Sequence, residues 1–399
     1  MLKIFFIFFF FVSSATAIEF EEIESFTVSG KQGKGIFHHL ESGGRKSIAI
    51  NNDYIGIVWE DNSNGQNTIY FVGKKKQAEP SAPTILSAIG YLPVISTMDK
   101  GFIVAWEDDT STQIVYINLD GTVIDTSSLG DKQERQVSFD TTNTGLLATW
   151  IAGNYRASEI NTAIIKIVDK KVTINDRRSV DTASPPLSKE YPTILDVGGG
   201  DHVVSWQDRR TKTNVLRYSL FHEGKYTAQK EINATVQKSE IFGMGSSAIR
   251  GTLAIMPKGN ILAVWMDKRS VKSGYEVFSS ISKNNGRTFS GNIKVQDTFG
   301  NELPQWNASI VKNDNYGIVI WNDGREDDQD IYYSYKVDNK WSDDVMIELS
   351  SVEWDQYAPQ AVLDADNDLH LVWIDKVWLD TVTFETSIKY SRLKMSTDN

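Results

Sequence analysis

Tyr316-Gly-Ile-Val-Ile-Trp321 is a β-branched run closed by tryptophan, and Asn322-Asp323-Gly324-Arg325 follows it directly. The phrase recurs along the chain. It reads Tyr54-Ile-Gly-Ile-Val-Trp59, Gly101-Phe-Ile-Val-Ala-Trp106, Gly145-Leu-Leu-Ala-Thr-Trp150 and Asp201-His-Val-Val-Ser-Trp206, then Asn260-Ile-Leu-Ala-Val-Trp265 and Asp368-Leu-His-Leu-Val-Trp373. Successive copies lie 44 to 59 residues apart, and a period near fifty points to a propeller or a solenoid. Seven of the eleven tryptophans occupy this one register, so the register belongs to the architecture.

Each unit has the same grammar. A short strand comes first, often opened by proline, as in Pro93-Val-Ile, Pro192-Thr-Ile and Pro359-Gln-Ala-Val. A turn rich in Asp, Asn, Gly or Lys leads into the Trp-terminated run. A third strand alternates apolar residues, as in Thr68-Ile-Tyr-Phe-Val and Asp330-Ile-Tyr-Tyr-Ser-Tyr, and a weaker fourth strand closes the unit. Alternation and turn residues at this density specify antiparallel strands. No helical apolar stripe of useful length is present. Seven units of four strands predict an all-β, seven-bladed β-propeller spanning residues 18–399 as one domain. A six-bladed ring that leaves out the divergent Trp150 repeat is the alternative. Too few residues follow the last third strand, Thr386 to Leu393, to make a fourth. The segment Ile18 to Val28 is therefore predicted to supply the outer strand of the last blade and close the ring.

Residues 1–17 read as a cleaved signal peptide. Lys3 supplies the positive charge, Ile4 to Val12 the apolar run, and Ala15-Thr16-Ala17 the small residues of a cleavage site. The apolar run is too short for a transmembrane anchor, which needs about 20 residues. The expectation is an exported protein, whether secreted, cell-surface or periplasmic. The chain has no cysteine, which excludes disulfide staples, a thiol nucleophile and thiolate metal sites. A net charge of -11 argues against nucleic-acid binding, which requires a basic face.

Six repeats carry Asp two residues after the Trp: Asp61, Asp108, Asp208, Asp267, Asp323 and Asp375. The Trp150 repeat has Ala152 there. Three repeats add an arginine two residues further on, giving the pairs Asp208/Arg210, Asp267/Arg269 and Asp323/Arg325. Two readings compete. A strand-end Asp accepts loop N–H groups, and Arg pairs with it through a planar fork, which is architecture. The same six residues could instead line one rim of the ring and bind a ligand, the carboxylates accepting sugar hydroxyls beside aromatic faces. Glu326-Asp-Asp-Gln-Asp330 is the densest acidic stretch. It reads as a solvated loop or as oxygen ligands for calcium, and it lacks the spacing of an EF-hand. His38-His39 reads as a loop pair or a weak metal pair. No other cofactor motif is present: there is no His-Glu-x-x-His, phosphate loop or Gly-x-Ser-x-Gly elbow.

Ser282-Lys-Asn-Asn-Gly-Arg-Thr-Phe289 resembles the Asp-box (BNR repeat) of the sialidase-like propellers, Ser-x-Asp-x-Gly-x-Thr-Trp. Asn284 stands for the Asp and Phe289 for the Trp, with Ser282, Gly286 and Thr288 in place. Asp338-Asn-Lys-Trp-Ser342 resembles a degenerate second copy. The resemblance implies a structural turn on the face away from an active site. The family's catalytic set is three arginines, a Tyr–Glu pair and an acid/base Asp. The chain has no Arg-Ile-Pro, and Arg45 is the only arginine before Arg135, so no catalytic residue carries over. The sequence thus predicts a non-catalytic binding protein with a glycan or protein ligand. An exo-sialidase type of glycoside hydrolase and a protein-interaction scaffold are the alternatives. Oligomeric state is not encoded in any pattern of the sequence.

Overall fold

The computed structural model describes residues 17–30, 32–130, 133–154, 156–180, 188–209, 214–233, 247–270, 274–297, 303–313, 315–326, 328–337, 340–350 and 354–397. The signal-peptide reading of residues 1–17 lies outside them apart from residue 17. Among the described residues no helix is long and apolar enough to cross a membrane.

Seven antiparallel sheets of four or five strands form seven blades, so the chain is a seven-bladed β-propeller. The first strand of each sheet is innermost. These strands are Ile48–Asn51, Tyr91–Met98, Arg135–Thr142, Lys189–Gly198, Ala248–Ile255, Gln305–Lys312 and Asp355–Leu363. The Trp150 repeat makes a full blade, with the 12-residue strand Ala157–Val168 as its third, which excludes the six-bladed alternative. Lacking the Asp, its Trp150 ring lies 5.3 Å from the Arg177 guanidinium.

Seven apolar clusters hold the ring, one at each junction between consecutive blades. Each contains the tryptophan of the following blade. Trp106 packs against Val58, Ile69 and Phe71 of the first blade, and Trp150 against Ile103 and Ile114 of the second. The last junction closes the circle: Trp59 of blade one packs against Val372, Ile388 and Tyr390 of blade seven. Six of the seven tryptophans have no exposed surface. At 150–250 Å² apiece, each indole removes enough apolar area from water to hold one junction together.

The chain ends meet as the sequence predicts. Ile18–Thr27 pairs antiparallel with Phe384–Thr397, from Ile18 opposite Thr397 to Thr27 opposite Lys389. The joint extends to neighbours: Tyr333 Oη donates to the Ile18 carbonyl at 2.7 Å, and the Ile388 N–H donates to Ser29 Oγ at 3.0 Å.

A bulge recurs opposite the register tryptophan. In six innermost strands two residues face one on the second strand, and the first of them is left-handed: Leu92, Gln136, Tyr191, Arg250, Asn307 and Ala358, with φ between 50° and 57°. The strand-opening prolines Pro93, Pro192 and Pro359 are the second bulge residue, where no ladder hydrogen bond is lost. In blade one the bulge has grown into a plug. His39 is opposite Glu60 and Ile48 opposite Ile57, leaving residues 40–47 to cross the ring. Arg45 Nη2 donates to the Leu92 carbonyl of blade two at 3.1 Å, and Ser138 Oγ of blade three donates to the Gly44 carbonyl at 3.2 Å. Gly43 is left-handed (φ 66°) and runs so close to the Arg250 carbonyl of blade five that a Cβ would lie 2.8 Å from it. Only glycine tolerates both conditions.

Candidate functional site

The six predicted rim residues divide clearly. Asp208, Asp267 and Asp323 have no exposed surface. Their carboxylates accept the indole N–H of their own repeat's tryptophan, Trp206 at 3.3 Å, Trp265 at 3.2 Å and Trp321 at 3.2 Å. Asp61 does the same for Trp59 at 2.8 Å. Arg269 Nε donates to Asp267 at 2.9 Å, and Arg325 Nε to Asp323 at 3.0 Å. Arg325 also donates to Asp344 at 2.9 Å. Arg210 lies outside the described residues. The phrase Trp-x-Asp-x-Arg is therefore a buried clamp that satisfies the indole as the blade junction desolvates it.

The Asp-box residues build a turn. Ser282 Oγ accepts the Gly286 N–H at 2.9 Å, Asn284 Oδ1 accepts the Thr288 N–H at 2.9 Å, and Gly286 is left-handed at φ 81°. Phe289 leaves the turn to pack edge-on against Tyr218 of the preceding blade, 4.9 Å between centroids. In the degenerate copy, Asp338 and Asn339 lie outside the described residues, but Trp341 Nε1 reaches Ser279 of the preceding blade at 3.0 Å. The calcium reading falls partly on Asp327, also outside. Among the described residues no group of three or more His, Asp or Glu side chains is arranged to hold a metal ion. His38 Nδ1 is 2.9 Å from Thr386 Oγ1, and the neighbouring His39 lies 3.6 Å from Glu41.

The groups that face solvent together lie elsewhere, on the face bearing the loops between blades. Four tryptophans stand outside the repeat register, and two of them, Trp354 and Trp378, are each more than a third exposed. They flank one surface opening of about 440 Å³ with Leu379, Asp380 and Thr381. Trp354 immediately precedes the innermost strand Asp355–Leu363, Trp378 ends the second strand, and Phe384 begins the third. Asp355 Oδ2 ties the shelf together by accepting Trp378 Nε1–H at 2.9 Å and Tyr357 Oη–H at 3.0 Å. The Lys376 ammonium lies 3.7 Å from the Trp378 ring centre and 4.3 Å from that of Phe384. Burial lowers the Lys376 pKa, with Asp355 acting against it.

From Tyr357 the shelf leads to the ring mouth. There Arg45 Nε is 3.2 Å from Glu41, and Arg250 is 3.4 Å from it while stacking 3.7 Å above the Tyr191 ring. Burial alone would raise the Glu41 carboxyl, but Arg45, His39 and Arg250 outweigh it and hold the pKa at about 2. Glu60 accepts the Leu92 N–H at 2.9 Å and Glu107 the Gln136 N–H at 2.9 Å, each capping the bulge of the next blade. Burial raises both carboxyls. Two arginines thus converge on the mouth, both engaged by Glu41. Among the described residues this is not the open three-arginine grip that the sialidase resemblance implied.

Sequence reasoning missed the shelf. The signal was present: Trp306, Trp341, Trp354 and Trp378 break the repeat register, and two of these four, Trp354 and Trp378, are the ones exposed together.

No family model matches the chain, and no curated protein matches it. Among solved structures, the chain is similar to an α-L-arabinanase of Penicillium chrysogenum complexed with arabinobiose. The TM-score is 0.50 at 12% identity, over 75% of this chain and 92% of that one. It is also similar to a polysaccharide lyase, with a TM-score of 0.55 at 10% identity, over 86% of this chain and 89% of that one. At these identities the likeness is one of fold.

Proposed function

We propose that the protein is a carbohydrate-binding propeller whose ligand stacks on the Trp354/Trp378 shelf of blade seven. The observation that carries this reading is the pairing of two exposed indoles on one opening with fixed polar groups beneath them. Aromatic faces take the C–H faces of a pyranose, while the exposed Asp380 offers an acceptor for hydroxyls. Holding Asp355 and Tyr357 in one hydrogen-bonded unit preorganises the shelf and lowers the ordering cost of binding. The arabinobiose bound by the arabinanase and the polysaccharide acted on by the lyase agree with a carbohydrate ligand. The test is a glycan array followed by calorimetry on the wild type, Trp354→Ala and Trp378→Ala. Binding that falls about tenfold or more in either variant, the scale of one lost stacking contact of about 1.4 kcal/mol, supports the reading. Absence of binding to any glycan at millimolar concentration removes it.

A second reading, glycoside cleavage, is favoured by Glu60 and Glu107, two mouth carboxyls raised by burial on the same face. A carboxyl raised by burial holds its proton more readily, as a general acid must. It predicts turnover of an aryl glycoside that Glu107→Gln abolishes while shelf binding persists. No turnover across a panel of aryl glycosides leaves the binding reading alone.

A further inference from the structure

The plug makes the central channel blind. The lumen it closes has a volume of about 590 Å³, and its wall is drawn from the innermost strand of all seven blades. That wall is of mixed character: aliphatic side chains such as Ile50, Ile255, Val362 and Leu363 alternate with the hydroxyls of Ser96, Thr97, Thr141, Thr193 and Thr252. The charged residues of the lining sit at its two ends.

At the closed end is Lys46, the last plug residue but one, and its side chain lines the lumen. It reaches across the ring to blade six, where Nζ donates to Ser309 Oγ at 3.3 Å and to the Ile310 carbonyl at 3.5 Å. Both partners are neutral and both contacts are long. Among the described residues Lys46 has no ion pair. The carboxylate next along the plug, Glu41, is engaged with Arg45 and Arg250. A buried ammonium held only by neutral oxygens is costly, and an anion beside it recovers that cost. At the other end, where the innermost strands turn outward, stand Asp140, Asp196 and Lys312. Asp140 Oδ2 accepts the Asp196 N–H at 2.7 Å. Burial raises the Asp140 carboxyl to about 6, with Lys312 acting against the shift.

The geometry points to a second binding site, distinct from the shelf: we propose that the blind channel takes a sugar-sized hydroxy monocarboxylate, its carboxylate on Lys46 and its hydroxyls donating to Asp140 and Asp196. The volume falls in the usual range for small-molecule sites. The acidic residues at the open end select against a dianion and for a ligand that carries hydroxyl donors at its far end. The charged groups around Lys46 are Glu41 and Arg45 of the plug, which are paired, and Asp140, Asp196 and Lys312 of the lumen. Burial lowers the Lys46 pKa to about 8, so the ammonium is present at neutral pH and lost in mild alkali.

The test is calorimetry of the full chain with sodium glucuronate, glucose and acetate. Glucuronate binds at pH 7, and glucose, which lacks the carboxylate, binds at least about tenfold more weakly, the loss expected when a charged hydrogen bond goes unmade. Acetate binds weakly through Lys46 alone. Lys46→Met loses glucuronate binding while its thermal midpoint equals or exceeds that of the wild type, because a buried unpaired charge has gone. Lys46→Gln keeps the polar contacts and still loses binding. Trp354→Ala leaves glucuronate binding unchanged, so failure of this site and failure of the shelf are separate results. Glucuronate that does not bind at millimolar concentration, or that binds Lys46→Met as well as the wild type, overturns the proposal.

Discussion

Glu41 is the residue whose charge has most to hold together. It is almost wholly buried, and its carboxylate sits between Arg45, itself buried, and Arg250. The folded carboxyl titrates at about 2 against an ordinary value of 4.5, so ionised Glu41 is stabilised in the native state. A depressed carboxyl pKa contributes stability above pH 4.5, and that contribution is lost as pH falls toward 2. The shift corresponds to about 3 kcal/mol, the same order as the cost of stranding a buried charge. Glu41→Gln is therefore expected to lose about 3 kcal/mol in urea unfolding at pH 7. The difference between variant and wild type should shrink as pH drops from 4.5 to 2. A difference that stays constant across that window would show that the amide fails by shape, not charge. The contrast with Lys46, further along the same plug, is instructive. Within one short crossing, one charge is fully paired and the next has only neutral partners, and the second is the one that awaits a ligand.

Strands and turns show how a near-repeat divides its labour. In blades four, five and six, a third-strand serine donates to the carbonyl that follows an aromatic residue: Ser219 to Thr227 at 2.7 Å, Ser280 to Ser290 at 2.7 Å and Ser334 to Ser342 at 2.9 Å. The aromatic before each acceptor, Tyr226, Phe289 or Trp341, packs on the preceding blade. The Asp-box is thus one dressing of a wider device for joining blades. Removing its buried acceptor by Ser282→Ala leaves the Gly286 N–H without that partner and should cost about 1–2 kcal/mol. Phe289→Ala, at a half-buried position, should cost about 2 kcal/mol. Both are read from denaturant midpoints, and neither should alter glycan binding. A loss of binding without loss of stability would move the turn into the site. These elements also show what could be read in the sequence. The tryptophan register and the strand-opening prolines were legible because each is local and repeated, and the single serine–glycine turn because it is local; that the prolines sit in bulges was not read. The fate of Asp208, Asp267 and Asp323 was not, because an Asp two residues beyond a strand-end Trp reads equally as a rim ligand or as an indole acceptor. Only the burial of the junction decides. The shelf and the plug were hidden for a different reason. Both are departures from the repeat, and the plug's partners come in addition from blades far apart in sequence.

At the scale of the whole molecule, a ring without disulfides is as stable as its closing joint. Six junctions join blades continuous in sequence, whereas the seventh brings residues near 20 against residues near 390. Its formation carries the largest loop-closure entropy of any contact in the chain. Once made, it completes the fourth strand of the last blade, covers the edge of Phe384–Thr397 and accompanies the burial of Trp59 against Tyr390. The joint is therefore where unfolding should begin, because fraying there exposes an edge without first breaking another blade. Glu21 and Lys394 are directly opposed across it, and both are exposed, so cysteines at these positions can be introduced without disturbing the core. The chain contains no other cysteine to mispair with them. Glu21→Cys combined with Lys394→Cys should form a disulfide and raise stability by about 3–5 kcal/mol, given the length of the loop it closes. The gain should vanish on reduction, and it should appear mainly as slower unfolding if opening of the seventh junction limits that rate. If the oxidised variant unfolds as fast as the reduced one, the ring gives way at another junction first. The junctions whose tryptophan lacks the indole–aspartate bond, those of Trp106, Trp150 and Trp373, are then the places to put the next cross-link.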